Sequence, residues 1–247
     1  MTGLQGVARQ EIEPVEAIAR SGKAAALAVI RGIEGPSYRP LGACMAVFED
    51  GRAVGSLSSG CIEGDIAHHA VAAIGTGAPA KVRYGKGSPF MDIKLPCGGG
   101  MDVLIVPRPD RAVLQDLVRR HDARRPCCLT IGKADGALSL DDAGETGPVG
   151  NGFAIRFDPP LRFLIFGAGP EASSFAAIVQ SMGFPNVVLS PDRRTLQEAE
   201  KTKCRTRHLV DKVLPEDLDV DARTAAILFF HDHEWEPPLL APLLASE

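Results

Sequence analysis

Hydrophobic positions along the chain fall into two styles, and the change comes at Asp158-Pro159-Pro160, where two consecutive prolines end any regular element. The first part opens with a helical pattern over Glu11–Ser21, followed by Ala24–Ile30 (AAALAVI), short and apolar enough for a buried strand. Cys44–Phe48 and Arg52–Ser56 flank Glu49-Asp50-Gly51, and an Asp-Gly pair between two such runs predicts a hairpin. Ile62, Ile66, Ala70 and Ile74 recur every fourth residue and predict a helix with one apolar stripe over Ile62–Ile74. Short strands are expected at Lys81–Tyr84, Asp92–Leu95, Val103–Val106, Cys127–Ile131, Ala137–Leu140 and Phe153–Phe157, with a helix over Arg111–Arg120. This half predicts an α+β domain with a largely antiparallel sheet.

Beyond the prolines the style changes. Arg162–Phe166 (RFLIF) is a fully apolar strand that runs into Gly167-Ala168-Gly169-Pro170-Glu171-Ala172. A helix over Ala172–Met182, a strand at Asn186–Leu189, a helix at Arg194–Lys201 and an apolar strand at Thr224–Phe230 follow. Strand, glycine turn, helix and strand make a βαβ unit and imply a parallel sheet. The fold class expected is α/β, with residues 1–158 as an α+β domain and 161–247 as a βαβ domain.

Composition removes several function classes. Hydrophobic residues form 45% and charged residues 23% of the chain, which excludes whole-chain disorder. Lys and Arg number 27 against 31 Asp and Glu, and the deficit sits beyond residue 158, where 9 basic face 13 acidic side chains. With neither a basic excess nor a basic stripe, nucleic acid is not an expected partner. No apolar run reaches the roughly 18 residues of a membrane span, and the first residues lack the order of a signal peptide. The expected compartment is the cytoplasm, with its thiols reduced.

Three stretches carry candidate chemistry. Gly55–Asp65 (GSLSSGCIEGD) is dense in small residues ahead of the Ile62 helix. A thiol there, Cys61, would face unpaired amides and the positive end of the helix dipole, which favour a thiolate. Glu63 and Asp65 lie in the first turn, where a carboxylate either caps the helix or contributes to a site. In Leu95–Met101 (LPCGGGM), Gly98, Gly99 and Gly100 follow Cys97, and successive amides in such a loop can cup an anion; a plain turn between strands is the alternative. Arg39, in the Pro36–Gly42 loop, suits a phosphate. Gly167–Ala172 fits GxGxxA, whose Gly167 allows a tight turn and Gly169 a close approach by phosphate. The acid expected about 20 residues on to bind a ribose is replaced by Ser190, with Asp192 displaced by two positions. His231 and His233 lack a third ligand close in sequence, so no metal site is assigned, and no catalytic residue either.

The motifs SYRPLGA, GSLSSGCIEGD, LPCGGGMDVLIVP, LIFGAGPEA, SPDRR and HDHEWEPPLLAPLL occur in this order, and from about Ala24 onward the chain resembles the XdhC/CoxI family. That resemblance implies an N-terminal XdhC/CoxI domain and a C-terminal Rossmann-like domain. It also implies an accessory protein that binds the molybdenum cofactor (molybdopterin), protects it during sulfuration and delivers it to a xanthine dehydrogenase-type molybdenum hydroxylase. The implied partners are the apo-hydroxylase and a cysteine desulfurase-type sulfurase, with room for a homodimer. Cys61 and Cys97 stand where the family's GGC and CGG motifs carry cysteines. The chain departs from the family at Ser190-Pro191-Asp192-Arg193, where Asp-Pro-Arg is usual. The cofactor-binding set expected is Arg39, Cys61, Glu63, Cys97, Gly98, Gly99 and Gly100, with Gly167 and Gly169 in the second domain. NAD(P) is not expected as a cofactor. The rival reading is an NAD(P)-dependent oxidoreductase that uses Gly167–Ala172 with Cys97 as its reactive residue.

Overall fold

A computed structural model describes residues 9–88, 95 and 98–245. The chain divides into two compact units, one spanning Gln10–Pro159 and the other carrying Pro160–Glu247.

The first unit is built on β1 (Ala25–Glu34), whose first six residues are all buried. Ala25, Leu27 and Val29 enter one core, and Ala26, Ala28 and Ile30 enter another on the opposite face. A strand covered on both faces has no polar side to display, so its sequence is a continuous apolar run rather than an alternation. β1 is the centre of an antiparallel sheet in the order β3-β2-β1-β5-β4, with β2 at Cys44–Phe48, β3 at Ala53–Gly55, β4 at Ala80–Gly85 and β5 at Gly100–Pro107. The Asp50-Gly51 hairpin joins β2 to β3, with Gly51 at φ +80.

One face is closed by α1 (Glu13–Arg20) and α3 (Arg111–Asp122) together with a second antiparallel sheet, β7-β6-β9-β8. In that sheet β6 is Cys127–Gly132, β7 Leu138–Asp141, β8 Gly147–Val149 and β9 Gly152–Phe157. The other face is closed by α2 (Glu63–Thr76), and the fourfold stripe of Ile62, Ile66, Ala70 and Ile74 is buried against β1, β2 and β5. Each isoleucine so buried contributes about 2–3 kcal/mol. α2 stops at Gly77, which takes the left-handed conformation that ends helices at little cost. The strand expected over Asp92–Leu95 lies outside the described residues except for Leu95, which is buried.

The second unit is a parallel sheet in the order β12-β11-β10-β13, with β10 at Arg162–Gly167, β11 at Asn186–Ser190, β12 at Arg205–His208 and β13 at Thr224–Phe229. α4 (Pro170–Ser181) and α5 (Arg193–Lys201) pack on one face through Ala172, Ala176, Leu196 and Ala199. α6 (Glu236–Ala245) lies on the other through Leu239 and Leu243, after Trp235 stacks on Phe230 at 5.3 Å. The chain leaves β10 on one side toward β11 and returns to β13 on the other. The strand order thus reverses at β10 and β13, and the carboxyl ends at such a reversal are where open α/β sheets bind ligands.

Candidate functional site

Strand register brings the first unit's motifs to one end of its main sheet. Val29 pairs with Cys44 and Met45 with Gly55, so the end of β1, the start of β2 and the end of β3 lie together. Glu34 and Gly85 both pair with Gly100, which adds the end of β4 and the start of β5. Residues 35–43, residues 56–62 and Gly98–Gly99 therefore leave the sheet at one edge. Arg39, Cys61 and the glycines, distant in sequence, share that edge; Cys97 lies outside the described residues.

The loop after β3 is organised by Glu63. Oε1 accepts from Ser56 Oγ at 2.6 Å, Leu57 N at 3.0 Å and Ser58 N at 2.7 Å. Oε2 accepts from Ser58 Oγ at 2.7 Å, Gly60 N at 2.8 Å and Ile62 N at 3.2 Å. Burial pushes the Glu63 carboxyl upward, but the hydroxyls of Ser56 and Ser58 and the backbone amides outweigh it and hold the group down at about 2. The carboxylate is thus the anion that the amides bind, and its place is that of a bracket for the loop. This corrects the expected position of Cys61. The helix begins at Glu63, Ile62 is its N-cap, and the amides of Cys61 and Ile62 already donate to Ser58 Oγ at 3.1 Å. Cys61 is exposed on the outside of this bracketed turn, next to Ser59 and Gly60 at φ +62 and +104. Ser56 and Ser58, which the sequence pattern does not single out, are as central to the loop as Glu63.

The glycine loop is also reinterpreted. A Cβ on Gly99 would stand 2.1 Å from the carbonyl oxygen of Pro36, and one on Gly100 2.8 Å from that of Lys86. Gly99 O accepts from Lys86 N at 3.0 Å, and Gly98 N donates to Leu95 O at 2.9 Å. Gly99 and Gly100 are bare because three backbones converge on them, not in order to aim their amides at an anion. Gly98 differs: it is exposed, with φ +73 and open space around it. The strand ends beside it are tied by Arg83, which pairs with Glu34 at 2.6 Å and Asp102 at 3.1 Å, while Lys86 reaches Glu34 at 2.7 Å. The Lys86 ammonium, with Arg83, holds the Glu34 carboxyl below the usual range. Tyr84, buried at the end of β4, donates to Asp65 Oδ2 at 2.7 Å and so fixes the first turn of α2 against the sheet.

Arg39 is buried and its guanidinium reaches Glu11 Oε1 at 3.1 Å, yet its Nε is buried without a hydrogen-bond partner among the described residues. The same holds for Nε of Arg31, at the bulge of β1 between Ile30 and Gly32. A buried donor without a partner is costly, and Arg31 carries no sequence signal beyond being a charged residue inside an apolar strand. Of the other described cysteines, Cys44, Cys127, Cys128 and Cys204 are buried, and burial pushes the thiols of the first three upward.

In the second unit the glycine turn is built but filled by the protein. Gly167 lacks room for a side chain because Phe229 O stands 2.7 Å from where a Cβ would be. Gly169 N, an amide that would face a phosphate, donates to Thr195 Oγ1 at 2.8 Å, and Pro170 has no N–H to offer. A carboxylate oxygen of Glu171 lies 3.0 Å from the Cβ position of Gly169, placing negative charge where a pyrophosphate would add more. Ser190 and Asp192 serve the next helix: Ser190 Oγ accepts from Asp192 N at 3.0 Å, and Asp192 caps α5 through Arg194 N and Thr195 N. Asp232 likewise caps the short turn at His233–Trp235 by accepting from Glu234 N at 3.0 Å. Among the described residues no three His, Cys, Asp or Glu side chains are grouped to hold a metal ion.

Residues 18–85, which contain β1, the β2–β3 hairpin and the Glu63 loop, match the XdhC and CoxI family. The molybdenum cofactor insertion chaperone PaoD of Escherichia coli is 34% identical over 229 residues, spanning 92% of this chain and 65% of that protein. Over residues 18–85 the chain is similar to the XdhC and CoxI family. Another relative, a probable xanthine dehydrogenase subunit from Bacillus subtilis, is 27% identical over 207 residues, covering 70% of this chain and 62% of its own length. The chain therefore spans less than two thirds of either relative. Among solved structures, a xanthine dehydrogenase from Bacillus halodurans superposes with a TM-score of 0.75 over 96% of this chain and 79% of that one, at 24% identity. That likeness establishes a shared mixed α/β fold. Among the described residues no helix is long and apolar enough to cross a membrane.

Proposed function

We propose that this protein belongs to the XdhC/CoxI family and is a carrier of the molybdenum cofactor, which it binds, shields while the molybdenum is sulfurated, and hands to a xanthine dehydrogenase-type apo-enzyme. The observation that carries the reading is the gathering of the Arg39, Cys61 and Gly98 loops at one edge of the sheet. The cofactor is cargo with two chemically distinct ends, a soft metal held by a dithiolene and a phosphate. A thiolate suits the first by softness, and Cys61 is exposed on a turn that Glu63 keeps rigid. Guanidinium donors suit the second, and Arg31 and Arg39 each hold one buried nitrogen without a hydrogen-bond partner among the described residues. Cys97 joins the set on sequence alone. Gly99 and Gly100 shape the edge, Gly98 leaves it open, and Glu63 positions the Cys61 loop.

The name of PaoD speaks of insertion for that protein, and this chain is read as acting in the same way. A cysteine desulfurase-type sulfurase and the apo-hydroxylase are the partners this role requires. The delivery step is tested by mixing cofactor-loaded protein with a cofactor-free xanthine dehydrogenase-type enzyme. Recovery of hydroxylase activity that exceeds recovery with the same amount of free cofactor supports it, and equal recovery refutes it.

A further inference from the structure

At the opposite end of the main sheet, a cavity of about 370 Å³ is lined by Ile18, Ala24, Ala25, Pro109, Arg108 and Arg111. Its volume lies in the range of small-molecule sites. The apolar wall comes from α1 and the start of β1, and the charge from the turn between β5 and α3. None of the motif residues contributes to it.

Arg108 holds an unusual backbone conformation. Its amide donates to Ala25 O at 2.8 Å, continuing the β1–β5 pairing one residue past β5, and its φ is +47. A side chain with a Cβ is disfavoured there, and glycine is the residue that meets no penalty. Of the other described non-glycine residues with positive φ, Arg124 and Lys203 follow the ends of α3 and α5, where a left-handed residue is the ordinary way to finish a helix. Ser59 belongs to the Glu63 loop. Arg108 has neither explanation, and among the described residues its guanidinium makes no hydrogen bond or ion pair. Arg111 is held in place by donating to the carbonyl of Lys23. Of the nearby acids, Asp50 pairs with Lys23 at 2.6 Å and Asp110 accepts from Ala112 N at 2.8 Å as the cap of α3. Two guanidiniums therefore border an apolar cavity whose lining among the described residues includes no carboxylate.

We propose that this cavity is a second ligand site, taking a phosphate monoester whose phosphate is held by Arg108 and Arg111 and whose apolar body lies on Ile18, Ala24, Ala25 and Pro109. Paired guanidiniums bind a phosphate through several parallel charge-assisted hydrogen bonds. The apolar wall distinguishes an ester from inorganic phosphate.

The test is calorimetric titration of the full chain at low salt with inorganic phosphate and with phenyl phosphate. Phenyl phosphate binds about tenfold more tightly than inorganic phosphate, since burying part of the ring is worth about one factor of ten. Arg108→Asn, which keeps a residue tolerant of positive φ, and Arg111→Gln each weaken phenyl phosphate at least tenfold while the unfolding midpoint moves by no more than about 2 °C. Arg119→Gln, on the exposed side of the same helix, leaves binding unchanged. The proposal is overturned by an absence of phenyl phosphate binding at millimolar concentration, by full binding in a folded Arg108→Asn variant, or by an equal loss in Arg119→Gln.

Discussion

Replacing Glu63 with glutamine tests the bracket that holds the Cys61 loop. The substitution keeps the shape but removes the charge, and it presents an NH₂ group to three of the six donors that now converge on the carboxylate. Glu63 has its carboxyl lowered from 4.5 to about 2, and each tenfold change in ionisation corresponds to about 1.4 kcal/mol. The loop thus favours the ionised form by about 3 kcal/mol before solvent is considered. The side chain is half-buried, and screening reduces the usable part to about 2 kcal/mol. Glu63→Gln should therefore lower the unfolding free energy by about 2 kcal/mol at pH 7 in urea titrations. The pH dependence has a fixed sign. A carboxyl whose folded value is depressed stabilises the fold fully above its unfolded value, and that contribution is lost as pH falls through the folded value. The gap between wild type and Glu63→Gln should accordingly stay constant above about pH 5.5 and shrink between 4.5 and about 2. A gap under about 0.5 kcal/mol at pH 7, the scale of an ordinary surface change, or one that does not narrow in acid, would refute the assignment of Glu63 as the loop's bracket.

Three further outcomes follow from the same structure. Cys61 is exposed and Cys204 buried, so brief treatment with iodoacetamide at neutral pH followed by mass spectrometry should label Cys61 first; the reverse order would show that the loop is not presented as described. Gly99→Ala should destabilise the fold by at least about 3 kcal/mol, because its Cβ would stand 2.1 Å from a backbone oxygen, whereas Gly98→Ala in open space costs only about 1 kcal/mol; equal effects in thermal melts would contradict the packing role of Gly99. NADH and NADPH should bind no more tightly than about 100 μM, corresponding to about −5.5 kcal/mol, since Gly169 N is taken by Thr195 and Glu171 stands over the turn. Low-micromolar binding by calorimetry would return the oxidoreductase reading to contention.

Much of the fold was legible because its elements are buried in simple ways. The fourfold stripe of α2 and the unbroken apolar run of β1 each state which faces are covered. The strands that escaped notice are β8 (GPV) and β12 (RTRH), both at sheet edges. An edge strand can be held by backbone pairing on one side, and its side chains need not be apolar. In the candidate site, the strand register brings the loops expected from sequence to one end of the sheet but gives several of their residues other contacts. The three glycines read as an anion cradle, yet Gly99 and Gly100 answer to Glu34, Pro36 and Lys86, neighbours that only the strand register supplies. Cys61 read as the group at a helix end, while Glu63 reaches back to occupy those amides itself. That reversal depends on the path of Ser56–Gly60, which spacing alone does not give. Gly167 and Gly169 were found from their pattern, but the plug formed by Thr195 and Glu171 comes from contacts outside the motif or from a rotamer within it.

The central claim, that the loops at this sheet edge hold the molybdenum cofactor, is most directly tested by the molybdenum and pterin content of the full chain purified after exposure to the cofactor. Wild type and Cys127→Ala, whose altered residue lies in the core, should retain molybdenum and the pterin's fluorescence in equal amounts. Cys61→Ala and Cys97→Ala should lose most of both while remaining folded. Wild-type protein that retains neither, or equal retention in all four proteins, would contradict the account.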